Sequence, residues 1–162
     1  MNAPSPFTSR VMQVEKDWLD YNGHMNMAYY NVLFDRGADE VLNLLGIGAA
    51  YAKMRKLTIY TAELHVCYIR ELQLDDPVTV SFQLLDSDDK RLRAYQEIRH
   101  AKEGWLAATG ETLSLHVDMA GPNVTPFPDD IKPGIEAMRT AHAKLPVPER
   151  AGRSIGIRRK PA

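Results

Sequence analysis

The chain has 162 residues, enough for one domain with a substantial hydrophobic core and too few for two ordinary domains side by side. Apolar residues make up 44% and charged residues 25% of it, with 20 Lys and Arg against 21 Asp and Glu. That composition excludes a disordered or low-complexity chain, and a formal net charge of −1 leaves no basic footprint for nucleic acid, so a small molecule or a protein is the expected partner.

The first residues, MNAPSPFTSRVMQV, lack the apolar stretch of a secretory signal, and no run approaches the roughly 20 apolar residues that cross a bilayer. A cytoplasmic protein without a membrane partner is expected. Residues 1–8 read as a loose lead-in, and 9–14 suit a short strand. Polar residues and a glycine then interrupt the pattern over KDWLDYNGHMN. From Met27 to Leu45 the period becomes helical: Tyr30, Phe34, Ala38, Val41 and Leu45 share one face, with a polar stripe at Asn31, Asp35, Asp39 and Asn43. Gly46 and Gly48 follow where helices commonly stop.

Beyond a short basic connector, LTIYTAELHVCYI alternates, with Tyr60, Ala62, Leu64, Val66 and Tyr68 on one parity and Thr61, Glu63, His65 and Cys67 on the other. Cys67, the one cysteine, reads as a structural thiol within this run. Val78, Val80, Phe82 and Leu84 alternate in the next run, and polar turns at SDDK and KEG lead into RLRAYQEIRH and WLAATGETLSLHV. Short polar connections between long alternating runs describe an antiparallel meander, and one long helix lying along one such sheet gives an α+β architecture. The last 40-odd residues start with GPNVTPFP, hold a short helix within DDIKPGIEAMRTAHAKL and end in the basic tail IRRKPA.

Polar chemistry concentrates in WLDYNGHMNMAYY, residues 18–30, just before the long helix. A helix N-terminus presents unsatisfied N–H groups and partial positive charge, which can hold a developing oxyanion. Gly23 lets a carbonyl approach the backbone closely, and Asp20 can stand on its other side. On residue types alone, Asn22 or Asn26 serves equally well as a helix cap, Asp20 as a turn residue and His24 as an ordinary hydrogen-bonded histidine.

The string Asp20-Tyr21-Asn22-Gly23-His24-Met25-Asn26 resembles the D-x-x-G-H-x-N signature of hotdog-fold acyl-CoA thioesterases in the 4-hydroxybenzoyl-CoA thioesterase branch. The likeness runs from about residue 9 to residue 117 in motif and element order. More narrowly, DYNGHMNMAYY, AELHVCYIRELQLDDP and SLHVD are similar to thioesterases of carnitine and betaine catabolism, including betainyl-CoA thioesterases. The resemblance implies a hotdog fold over residues 1–118, a curved antiparallel sheet wrapped around the long helix, with 119–162 as a C-terminal extension. It also implies a homodimer or homotetramer with sites at subunit interfaces, and hydrolysis of an acyl-CoA without a cofactor.

Carried over, the acid of the signature falls on Asp20, as nucleophile or as general base for water. The oxyanion donors fall on the backbone around Gly23 and His24, and Asn26 shapes the pocket. A betainyl substrate needs aromatic faces and a carboxylate for its trimethylammonium group, for which Trp18, Tyr21, Tyr29, Tyr30 and Glu63 are the available types. Arg70 is the candidate for coenzyme A phosphates, ahead of the Lys90-Arg91-Arg93 cluster. Other hotdog enzymes carry their acid within the helix, which makes Asp35, Asp39 and Glu40 the rivals of Asp20. Scattered histidines and one cysteine make no metal site, and neither a phosphate loop nor a GxSxG elbow occurs. A hotdog dehydratase or hydratase and a non-catalytic acyl-CoA-binding hotdog are the alternative functions.

Overall fold

A computed structural model describes residues 6–157 and 159. Residues 1–5 of the expected lead-in, and Arg158, Lys160, Pro161 and Ala162 of the expected basic tail, lie outside the described residues. The order is β1 (Phe7–Thr8), β2 (Met12–Gln13), α1 (Met27–Leu44), α2 (Ala49–Arg55), β3 (Leu57–Tyr68), β4 (Pro77–Ser87), β5 (Arg91–His100), β6 (Leu106–Asp118), β7 (Asn123–Val124) and α3 (Lys132–His142). Of the expected first strand, 9–14, only β2 forms, and β1 lies in the expected lead-in; both are antiparallel to β4.

The long strands form one antiparallel sheet in the order β1-β4-β5-β6-β3. Strands β4, β5 and β6 are the expected meander, but β3 pairs with β6 and not with its sequence neighbour β4. The segment between them is therefore no hairpin turn. It carries the chain across the end of the sheet and buries Leu72 on the way. A second correction falls within β3. Its register shifts between Thr61 and Glu63, and such a bulge reverses which parity faces inward. Ile59 and Thr61 line the groove beside α1 before the bulge, as Leu64 does after it. Tyr60, placed by simple alternation with Leu64, is instead on the other face and 47% exposed.

Helix α1 lies on the sheet. It buries Tyr30, Leu33, Phe34, Gly37 and Val41, a stripe turned slightly from the expected one, since Ala38 and Leu45 are only half-buried. Gly37 is the reason. A Cβ built there would stand 2.7 Å from the Cβ and Cγ1 of Val80 on β4, so the helix reaches the sheet only because this residue has no side chain. The polar stripe Asn31, Asp35, Asp39 and Asn43 is exposed. Gly46, in the left-handed region at φ +74°, ends the helix while Ile47 N–H donates to the Leu42 carbonyl at 2.9 Å.

Two apolar clusters divide the core. One joins the first half of α1 to Trp18, Met25, Leu72, Val78, Val80 and Ile98. The other joins Val41 to Phe82 and Leu84 and also takes in Phe127, Ile131, Ile135 and Met138, so the segment after residue 118 packs into the same core. Strand β1 covers β4 only at Ser81 and Phe82, which leaves the edge amide of Leu84 to be satisfied otherwise. His142 of α3 does this, accepting the Leu84 N–H at Nδ1, 2.8 Å away. Among the described residues no helix is long and apolar enough to cross a membrane.

His142 is 1% exposed, and burial holds its imidazole below the usual pKa. With Nδ1 accepting, the ring must stay neutral in the folded chain. Below about pH 6.5 the unfolded chain takes up a proton that the folded one refuses. Stability is therefore lost as pH falls through that value toward the lower folded pKa. His142→Ala should cost roughly 1–3 kcal/mol by orphaning the Leu84 amide. It should also flatten the acid dependence below about pH 6.5, as measured by urea unfolding; an unaltered pH profile would refute this role.

Candidate active site

The segment before α1 closes on itself as a small hairpin. Asn26 N–H donates to Trp18 O at 2.8 Å, Leu19 and Met25 form an antiparallel bridge, and Asp20 N–H donates to His24 O at 2.9 Å. Within it, Gly23 N–H returns to Asp20 O at 3.0 Å with Gly23 at φ +79°. This turn with a left-handed glycine is a geometry that other residues enter only under strain. The Asp20 side chain is anchored in the same turn, its Oδ1 accepting Asn22 N–H at 2.8 Å. Oδ2 of Asp20 has no partner among the described residues.

Asn26 caps α1, its Oδ1 accepting Ala28 N–H at 2.9 Å. The hairpin thus delivers Asp20 to the N-terminus of the helix. Of the two amides that the resemblance offered as oxyanion donors, that of Gly23 is engaged by the Asp20 carbonyl, whereas that of His24 makes no hydrogen bond among the described residues. The Met27 amide, in the first turn of α1, is likewise free.

These groups open into a cleft of about 700 Å³, to which Asp20, Tyr21, His24, Asn26, Tyr30 and Arg70 all contribute. The other candidates lie elsewhere. Gly23 sits at the exposed tip of the turn. Trp18 is 5% exposed, its ring stacked on Tyr29 at 5.8 Å and covered by the Arg36 guanidinium at 4.9 Å; that pair braces the hairpin from behind. Glu63 stands on the other face of β3, in a surface groove with His65, Arg93 and Glu111. Asp35 and Asp39 line a separate groove of about 460 Å³ between α1 and β3, where burial and then the Asp35 charge raise the pKa of Asp39. Glu40 is turned to Arg10.

The sequence reading missed five cleft residues, Met25, Met27, Tyr68, Ile69 and Glu71. Tyr68 shares the parity of Leu64 and Val66, so its inward orientation was available from alternation. Glu71 belongs to the crossover, whose path no local pattern reveals. Tyr30 is buried between them, accepting Leu72 N–H at 3.2 Å. Burial, opposed by that hydrogen bond, raises its pKa. Among the described residues, no three His, Cys, Asp or Glu side chains gather as a metal site.

A long helix laid on one antiparallel sheet defines a hotdog protein. A sequence profile of the thioesterase-like superfamily matches residues 14–135, and the chain belongs to that superfamily. Its relatives are thioester hydrolases, and so is its class. The chain is 33% identical to the betainyl-CoA thioesterase of Pseudomonas aeruginosa over 150 residues, 93% of this chain and 94% of that one. It is also 33% identical to the L-carnitine dehydrogenase/betainyl-CoA thioesterase of Rhizobium meliloti over 159 residues, 98% of this chain. It spans only 32% of the length of that second relative. Among solved structures, the hypothetical protein SAV2348 of Staphylococcus aureus in complex with CoA matches with TM-score 0.86 and 27% identity, over 94% of this chain and 96% of that one. A putative thioesterase of Pseudomonas putida KT2440 matches with TM-score 0.81 and 27% identity, over 95% and 98%.

Replacing Asn26 by Ala removes the helix cap, and urea unfolding should show a loss of about 1 kcal/mol. An unchanged midpoint would mean that the cap is idle.

Proposed function

We propose that the chain hydrolyses a short, polar acyl-CoA to the free acid and coenzyme A, with betainyl-CoA the first substrate to test and Asp20 the central residue. One observation carries this reading: Asp20, and His24 and Met27 with their free amides, line one cleft at the positive end of α1. Names of relatives that match over nearly the whole chain support the substrate.

The thioester carbonyl lies with its oxygen toward these amides, which stabilise the negative charge that develops on it. Asp20 then acts in one of two ways. As nucleophile, its free oxygen attacks the carbonyl carbon, the C–S bond breaks, coenzyme A leaves as thiolate, and water hydrolyses the resulting mixed anhydride. As general base, it takes a proton from the water that attacks directly. When water attacks the Asp20 carbonyl of the mixed anhydride, a single turnover in ¹⁸O-water separates the routes, because the Asp20 oxygen that bridged the anhydride then leaves in the acid product. Arg70, which lines the cleft, would meet the coenzyme A phosphates. A CoA ester as substrate fits a cytoplasmic location.

The site on this reading is completed by a second copy. Strand β3 has 12 residues and among the described residues is paired on one side only, with Tyr60, Leu64 and Tyr68 between 36% and 47% exposed. A long edge strand bearing large apolar side chains is stable when covered. Two copies joined antiparallel along β3 would continue the sheet and close the groove between α1 and β3. Light scattering on the purified chain should return a dimer or a multiple of one; a monomer at micromolar concentration would refute the assembly.

Asp20→Asn is nearly isosteric and keeps an acceptor for Asn22. It should fold and bind acyl-CoA with turnover reduced by about 10²-fold or more, measured by thiol release over cationic, aromatic and medium-chain acyl-CoAs. Wild-type kcat in this variant would remove Asp20 from the chemistry. Saturable binding without thiol release in the unmodified chain would replace the enzyme reading with a binding one.

A further inference from the structure

We infer that Tyr68 and Glu71 form a subsite for a cationic, methylated acyl head in the Asp20 cleft. This rests on the thioesterase reading above; of the set read from sequence Tyr21 and Tyr30 line the cleft, and Tyr68 and Glu71 stand there in place of Trp18, Tyr29 and Glu63.

Tyr68 ends β3 and remains 45% exposed, yet it is fixed at two points. Its hydroxyl donates to the Met27 carbonyl at 3.0 Å, and its ring meets that of Tyr30 nearly at right angles, 83°, with centroids 5.1 Å apart. Tyr30 is itself held by the Leu72 amide. An exposed aromatic ring locked in this way presents its π-surface to a ligand with little ordering cost.

Glu71 lines the same cleft and makes neither a hydrogen bond nor an ion pair among the described residues. Its chain neighbour Arg70 makes no ion pair with it; that guanidinium is instead stacked 4.0 Å from the centroid of the Trp105 ring. An aromatic face and an uncompensated carboxylate together favour a cation. They favour a quaternary ammonium in particular, which has no N–H groups to satisfy and is attracted by ring quadrupole and diffuse charge alone. Trp18 and Tyr29 offer no such face, since they cover each other behind the hairpin.

The test compares kcat/KM for betainyl-CoA with that for 3,3-dimethylbutanoyl-CoA, its neutral isostere, in the wild-type chain and in Tyr68→Leu, Tyr68→Phe and Glu71→Gln. The wild-type chain should prefer the cationic ester. Tyr68→Leu and Glu71→Gln should each lower the ratio about tenfold, mainly through KM for betainyl-CoA, while Tyr68→Phe, which keeps the ring, should retain most of it. Glu71 is exposed, so its isosteric replacement tests the subsite even if Tyr68→Leu fails to fold. A wild-type preference that survives Glu71→Gln and the Tyr68 changes overturns the subsite and spares the substrate reading. A wild-type chain that hydrolyses both esters equally overturns the betainyl reading and the subsite with it, and one that hydrolyses no acyl-CoA overturns the thioesterase reading itself.

Discussion

Leu72 is tied to the site through both ends of its own backbone. Its amide donates to the Tyr30 hydroxyl at 3.2 Å and its carbonyl accepts the Met25 amide at 2.8 Å, while its side chain is fully buried. Through this one residue the crossover, the acid-bearing hairpin and the first turn of α1 are fixed to one another. Met25 positions the hairpin that carries Asp20, Tyr30 braces Tyr68, and the residue before Leu72 is Glu71. The cleft is thus defined by backbone bonds in a region from which water is excluded, where each unmade bond would cost about 1–3 kcal/mol. That cost is what makes the arrangement unique.

The same crossover depends on the depth at which α1 sits. With no side chain at Gly37, the helix reaches Val80. On β6, two strands away, Gly110 gives the same closeness to the Phe34 ring, whose nearest atoms stand 3.1 Å from where its Cβ would be. Raised by one methyl group, α1 would lift its N-terminus away from Leu72 and separate the free amides from Asp20. Tight helix packing and a formed site are one constraint seen at the two ends of α1.

What was legible in the sequence is what is local. The turn from Asp20 to Asn26 carries its geometry in seven consecutive residues, α1 shows its period, and β4 alternates without interruption at Val78, Val80, Phe82 and Leu84. What was illegible depends on distant partners. The bulge in β3 is set by its pairing with β6, and a single extra residue there reversed the expected face of Tyr60. Trp18 looked like a ligand-facing aromatic because nothing near it in sequence announces Arg36 over its ring. Gly37 escaped the hydrophobic period since its contribution is the absence of volume. Glu71 was hidden for the reason that β3 was expected beside β4: the crossover is long-range, and the residues along it read as an ordinary polar turn.

Charge plays a different part here from the hydrogen bonds. The ion pairs among the described residues, such as Arg36 with Glu15 and Arg93 with Glu111, lie outside the cleft, and neither Asp20 nor Glu71 enters one. The shape of the hairpin is therefore held by amides and carbonyls, which salt does not screen, whereas the field of its carboxylates reaches outward unpaired and decays over about 8 Å at physiological ionic strength. Added salt should leave the site standing and weaken only what it attracts. On the proposed reading such a cleft separates two tasks: the backbone would fix where a carbonyl reacts, and the Glu71 charge, which enters no hydrogen bond or ion pair among the described residues, would choose which acyl group arrives there.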